Sequence, residues 1–147
     1  MPVVYRDNCA LQRPLDDRDQ FRVRVEADAI TAVLTATEGG DVEILSSAAL
    51  RAESSRLRNQ SRRDFAEHVL ALAARDVPVT EEVRALTLTY QGTGIKPFDA
   101  LHLASAVVAA ADFFCTTDDR LLRKAREVNT RATRVVTPLE LAAALDL

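Results

Sequence analysis

The chain reads as an α/β protein, a three-layer α/β/α arrangement with a parallel sheet between two layers of helices. Three observations predict this. Short apolar runs at residues 3–6, 42–45, 113–116 and 135–136 alternate with longer stretches whose apolar positions recur at helical spacing. Such alternation implies parallel pairing through right-handed crossovers, with helices on both faces. The length of 147 residues suits one domain, read here as spanning 1–147, with no repeat, linker or low-complexity tract.

Val3 to Arg6 is a short buried strand closed by Asp7. A turn follows at Arg13, Pro14 and Leu15. From about Asp17, Phe21, Val25, Ala29, Ala32, Val33 and Ala36 mark a helix that Gly39 and Gly40 stop. Residues 42–45 form the second strand. Ser46 or Ser47 can cap the next helix, because a hydroxyl satisfies an unpaired N–H of its first turn. Residues 54–64 are polar and arginine-rich, and Phe65, Val69, Leu72 and Ala73 mark another amphipathic helix. Residues 77–79 suit an edge strand, since Pro78 cannot donate within a sheet centre. Thr80 can cap a helix through Leu88, and the glycines and proline of 91–97 make a loop. A strongly apolar helix over 98–110, a strand over 113–116, a helix over 119–128, a last strand at 135–136 and a helix over 139–145 complete the chain.

Nineteen Lys+Arg against 22 Asp+Glu give a net charge of −3, so no global positive field attracts nucleic acid. A polyanion would need a local basic patch or a metal. Cys9 and Cys115 are too few for a disulfide framework or a zinc ribbon, and both adjoin strands, where buried free thiols are common. The N-terminus runs directly into Val3, Val4 and Tyr5, and the longest apolar run, residues 103–111, falls far short of the ~20 residues of a membrane span. A cytoplasmic protein is expected.

In a parallel α/β sheet the loops that follow the strands gather at one rim, where ligands bind. Asp7, Glu53, Asp99 and Asp118 all map there. Asp7 directly follows a strand. Glu53 shares a helical stripe with Ala49, Leu50 and Leu57, so it needs either an arginine or a metal to offset desolvation. Asp99 opens the most apolar helix, where a helix-dipole role is the plain alternative. Asp118 follows a strand and can be an N-cap. Clustered carboxylates repel one another unless a cation sits among them, and hard oxygen donors suit Mg²⁺ or Mn²⁺ rather than zinc.

These residues resemble a known family. Asp7 after a first strand, Glu53 after Ser46 and Ser47, the run KPFDALHLASA around Asp99 and FCTTDDRLL around Asp118 are similar to the PIN-domain nucleases, most of all to VapC-type toxins. The resemblance spans essentially the whole chain. It implies a five-stranded parallel sheet of order 3-2-1-4-5 with Asp7 on the central strand. It implies Mg²⁺- or Mn²⁺-dependent endoribonuclease activity with Asp7, Glu53, Asp99 and Asp118 as catalytic and metal-binding residues, an antitoxin partner and a homodimer. Two departures stand out: Asn8 replaces the usual Ser or Thr, and Arg6 stands where the strand is usually apolar and can pair with an acid.

Supporting roles are expected for Asn8 and Thr116, as hydrogen-bonding partners of a carboxylate or water, and for His102, one turn after Asp99. A buried histidine bonded to backbone is the stronger expectation for His102. Arg51, Arg56 and Arg120 are candidates for RNA or antitoxin contact, alongside Arg58, Arg62, Arg63 and Arg123; solvated faces are the plain alternative for each. Tyr5 and Tyr90 suit packing rather than base stacking. Other readings of the same residues are a phosphotransfer domain using Asp7 as nucleophile, for which Cys9 stands where a second acid is wanted, a catalytically inert metal- or RNA-binding module, and a PIN nuclease of RNA processing.

Overall fold

Val4 and Tyr5 are neighbours on the first strand and both fully buried. Successive strand residues point to opposite faces, so both faces of this strand have to be covered. The protein, described by a computed structural model over residues 1–147, meets that demand with a five-stranded parallel sheet between helical layers. The strands are β1 (Val3–Arg6), β2 (Glu43–Ser47), β3 (Arg75–Val77), β4 (Phe113–Cys115) and β5 (Arg134–Val136), in the spatial order β3-β2-β1-β4-β5. That is the expected order, with β1 at the centre.

Eight helices connect and cover them: α1 (Asn8–Gln12), α2 (Phe21–Glu38), α3 (Ala48–Ser55), α4 (Gln60–Leu70), α5 (Glu81–Gly92), α6 (Pro97–Val108), α7 (Asp119–Ala125) and α8 (Pro138–Ala144). On one face Tyr5, Leu45, Phe114 and Val135 pack against Leu50 of α3, Val83 and Tyr90 of α5, Leu103 and Val107 of α6 and Leu121 of α7. On the other, Val4, Phe113, Cys115 and Val136 pack against Ile30 and Val33 of α2 and Leu141 of α8, while Ile44 meets Leu11, Ala66 and Val69. Each fully buried Leu, Ile or Val contributes roughly 1.5–3 kcal/mol of transfer free energy.

The structure revises several sequence expectations. Asp7 caps a short helix, α1, where only a chain leading to a turn was expected, and residues 13–15 form a 3₁₀ turn. The first long helix starts at Phe21 rather than Asp17, and Phe21 itself is 74% exposed. Strand β2 runs two residues further than expected, and Ser47, not Ser46, caps α3 by accepting from Leu50 N–H. The third strand lies at 75–77, not 77–79: its register, Leu45 opposite Arg75 and Ser47 opposite Val77, ends it before Pro78. Thr80 caps α5 as expected, but the helix continues to Gly92. Gly94, at φ +97°, then takes the left-handed turn that leads to α6.

Candidate active site

Parallel pairing brings β1 and β4 to the rim together. The ladder continues one step past β1, with Asp7 N–H donating to the Cys115 carbonyl at 3.2 Å, so Asp7 stands beside Thr116. Thr116 Oγ1 donates to Asp7 Oδ2 at 2.6 Å and accepts the Asp118 N–H at 3.1 Å. One hydroxyl thereby orients the first acid and draws the loop carrying Asp118 toward it, which is the orienting role expected of Thr116. Asp7 Oδ1 also accepts from Ala10 N–H, capping α1, and from the Cys9 thiol at 3.1 Å.

Asp7, Glu53, Asp99, His102 and Asp118 all line a single cleft of about 340 Å³, together with Asn8, Cys9, Gln12, Asp16, Leu57 and Arg62. The four acids widely spaced in sequence therefore meet in space. Asp7 is buried, Glu53 and Asp99 are half-buried, and Asp118 is exposed at the mouth, where it caps α7 by accepting from Arg120 and Leu121 N–H. No arginine or lysine forms an ion pair with any of the four. Glu53 is held instead by His102 Nε2, 3.1 Å from Oε1. Arg6, the expected competitor, forms no ion pair or hydrogen bond; desolvation lowers its guanidinium to about 10.

The uncompensated charge shows in the acids themselves. Burial pushes the Asp7 carboxyl up, against hydrogen bonds from Thr116, Cys9 and Ala10 that pull it down. Asp99 is pushed up to about 6, first by desolvation and then by the charges of Asp7 and Asp118, with Glu53 adding a smaller push. These groups resist sharing one cleft as anions.

The remaining expectations divide. His102 is buried as expected, but its partners are the side chains of Tyr5 and Glu53 rather than backbone. Asn8 lines the cleft, yet its Oδ1 is buried without a partner and meets no carboxylate. Arg51 is turned to the β3 edge, where it binds Asp76 at 2.9 Å, and Arg56 lies over the Phe98 ring at 5.6 Å; neither lines the cleft. Arg120 borders a small recess that shares Asp99 and Asp118 with the cleft. The sequence reading missed Gln12, whose Nε2 donates to the Arg62 carbonyl while its Oε1 is buried and unpartnered at the cleft wall. It also placed Cys9 inside. The residue is exposed, although its sulfur reaches Asp7, and desolvation, aided by that charge, pushes the thiol up to about 12.

The donor set fits a hard divalent cation in chemistry: carboxylate oxygens without a guanidinium, bordered by two amide oxygens that lack a donor. As they stand, no three of the Asp, Glu, His and Cys side chains form a ready-made ligand group. Such spacing suits an ion bound partly through water, as Mg²⁺ commonly is.

The structure is thus a doubly wound α/β domain with an acidic cleft at the carboxyl rim of its parallel sheet. The PIN domain family model matches residues 7–127, and the chain belongs to that family, a superfamily of nucleases. Among solved structures it is similar to a chain of VapBC2 from Rickettsia felis, crystallised with a DNA fragment from their promoter. The two share 11% identity and a TM-score of 0.57 over 92% of this chain and 98% of that one, which is a likeness of fold. No curated protein matches the sequence. No helix is long and apolar enough to cross a membrane.

Proposed function

We propose that the protein is a metal-dependent endoribonuclease acting as the toxin of a toxin–antitoxin pair. The observation that carries the nuclease reading is the convergence of Asp7, Glu53, Asp99 and Asp118 in one cleft with no cation of the protein's own to neutralise them. The fold shared with a chain of a VapBC complex supports the toxin assignment and a protein antitoxin as partner.

In this reading Asp7, Asp99, Asp118 and Glu53 hold Mg²⁺ or Mn²⁺, directly or through water. Such an ion, when bound, would supply Lewis-acid chemistry for hydrolysis of a phosphodiester. Asp7, fixed by Thr116, Cys9 and Ala10, is the preorganised anchor of the site. Half-buried Asp99 and Glu53 and exposed Asp118 would supply the remaining carboxylate oxygens to the ion. Water provides the nucleophile, and Cys9, kept protonated beside Asp7, is not one. The products carry 5′-phosphate and 3′-hydroxyl ends. Arg120, beside Asp99 and Asp118, is the best placed of the expected arginines to meet an RNA phosphate.

The test is incubation of purified protein with structured RNA and Mn²⁺ or Mg²⁺, with Asp7→Asn as control. Cleavage by the parent chain alone, abolished by EDTA, is expected. RNA and metal binding without cleavage would establish the inert-module alternative.

A further inference from the structure

Glu53 is the only one of the four acids held by a histidine, and that histidine continues into a buried chain of side chains. Ser47 Oγ lies 2.7 Å from Tyr5 Oη, Tyr5 Oη 2.7 Å from His102 Nδ1, and His102 Nε2 3.1 Å from Glu53 Oε1. Ser47, Tyr5 and His102 are each no more than 1% exposed.

The Glu53 end of the chain sets its direction, and the Leu50 end leaves the Ser47 hydroxyl its hydrogen to give. At one end the Leu50 backbone N–H can only donate, and it does so to Ser47 Oγ at 3.0 Å. At the other, Glu53 Oε1 is the acceptor, so His102 Nε2 carries the hydrogen that faces it. A neutral imidazole protonated at Nε2 has a bare Nδ1, which the Tyr5 hydroxyl fills as donor. Ser47 is then the donor to Tyr5. With a neutral ring this is the one arrangement in which every contact has its hydrogen and none has two.

We infer that Tyr5 and His102 are positioning residues for Glu53, holding Oε1 through a one-directional hydrogen-bond chain and leaving Oε2 free for a cation. The inference rests on the proposed role of Glu53 as a cation ligand. A glutamate side chain loses considerable rotamer freedom when it is ordered, and a chain anchored on β1, β2 and α6 removes that freedom before the cation arrives. The rings are themselves fixed: Tyr5 stacks on Phe114 with centroids 5.7 Å apart at 16°, and His102 lies against Phe98 at 6.2 Å. The Glu53 Oε2 atom makes no hydrogen bond.

Two measurements test it. Nitrogen-detected NMR of the histidine rings in metal-free protein reads the tautomer directly, with exposed His68, the other histidine, as a solvent reference. The Nε2-protonated form is expected for His102; the Nδ1-protonated form would overturn the inference. Mn²⁺ titration of the parent chain, Tyr5→Phe, His102→Gln, His102→Ala and Glu53→Gln is the second. Tyr5→Phe keeps the ring and is expected to weaken Mn²⁺ binding about tenfold. His102→Gln, which can accept from Tyr5 and donate to Glu53, is expected to recover most of what His102→Ala loses. Folded Tyr5→Phe with parental Mn²⁺ affinity sinks the inference. If Tyr5→Phe does not fold, the tautomer and the Gln–Ala pair decide. Undiminished Mn²⁺ binding by Glu53→Gln overturns the metal role of Glu53 itself, an outcome distinct from a wrong tautomer.

Discussion

Two sets of carboxylates share the carboxyl rim of the sheet, and the chain treats them in opposite ways. Glu26, Asp16 and Asp119 are each met by arginine: Glu26 by Arg13 at 2.9 Å and Arg22 at 3.3 Å, Asp16 by Arg13 and Arg62, and Asp119 by Arg22 at 2.7 Å. Asp7, Glu53, Asp99 and Asp118 have none. Asp118 and Asp119 are adjacent in sequence, yet the hydrogen bonds of Arg22 hold Asp119 below the ordinary carboxylate range while Asp118 faces the cleft and raises Asp99. Even Arg62, which lines the cleft, is committed to Asp16. Guanidinium neutralisation is thus available nearby, yet none of it reaches these four acids. Glu26, Asp16 and Asp119 carry their own counter-charge; Asp7, Glu53, Asp99 and Asp118 are left for a cation from outside.

The contrast breaks most visibly at Asp7. Asp7→Asn keeps the shape but removes the buried charge and one of the two acceptor oxygens, and RNA cleavage is expected to fall on the order of a hundredfold or more, with loss of Mn²⁺ binding by calorimetry. On the arginine-paired side, Glu26→Gln is expected to leave Mn²⁺ binding unchanged and to cost about 2 kcal/mol of stability in urea unfolding, because it weakens charge-assisted bonds at a buried position.

A pH series sharpens the comparison. The Asp99 carboxyl sits at about 6 in the fold against an ordinary 3.8, so the folded protein binds its proton more tightly than the unfolded chain. That contribution to stability is full below pH 3.8 and is lost as pH rises through 6. Metal-free protein should therefore lose thermal stability across that window, measured by calorimetry. Asp99→Asn should flatten this component, and Mn²⁺ binding should weaken as pH falls below 6 because protons compete for the same oxygens. The smallest effect is expected at Arg51→Ala: its pair with Asp76 is half exposed, so stability should change by no more than about 0.5 kcal/mol and RNA cleavage not at all.

Four of the strands and the four acids were legible because each is a local statement, an apolar run or a carboxylate beside one; β3 was not, because its exposed Arg75 and Asp76 make no apolar run. Parallel topology did the rest, since it sends every strand's end to one rim. The cleft's other walls were not legible. Gln12 and Cys9 enter it only because Asp7 caps α1 and turns the chain at once, a five-residue element too short for periodicity to reveal. Phe21 fitted the helical stripe, but spacing cannot say what a helix end meets; in the fold it is exposed and lies under the Arg24 guanidinium at 5.8 Å. The partners of His102 are 49 and 97 residues away in sequence, beyond any local window.

Both borders of the sheet have a further consequence. Strands β3 and β5 are three residues long, and each is followed within two residues by a proline, Pro78 and Pro138. A border so brief offers an incoming strand almost no ladder to extend, and proline cannot donate to lengthen it. Copies of this chain crowded together, as during synthesis or at high expression, are thereby protected against zipping edge to edge into insoluble ribbons.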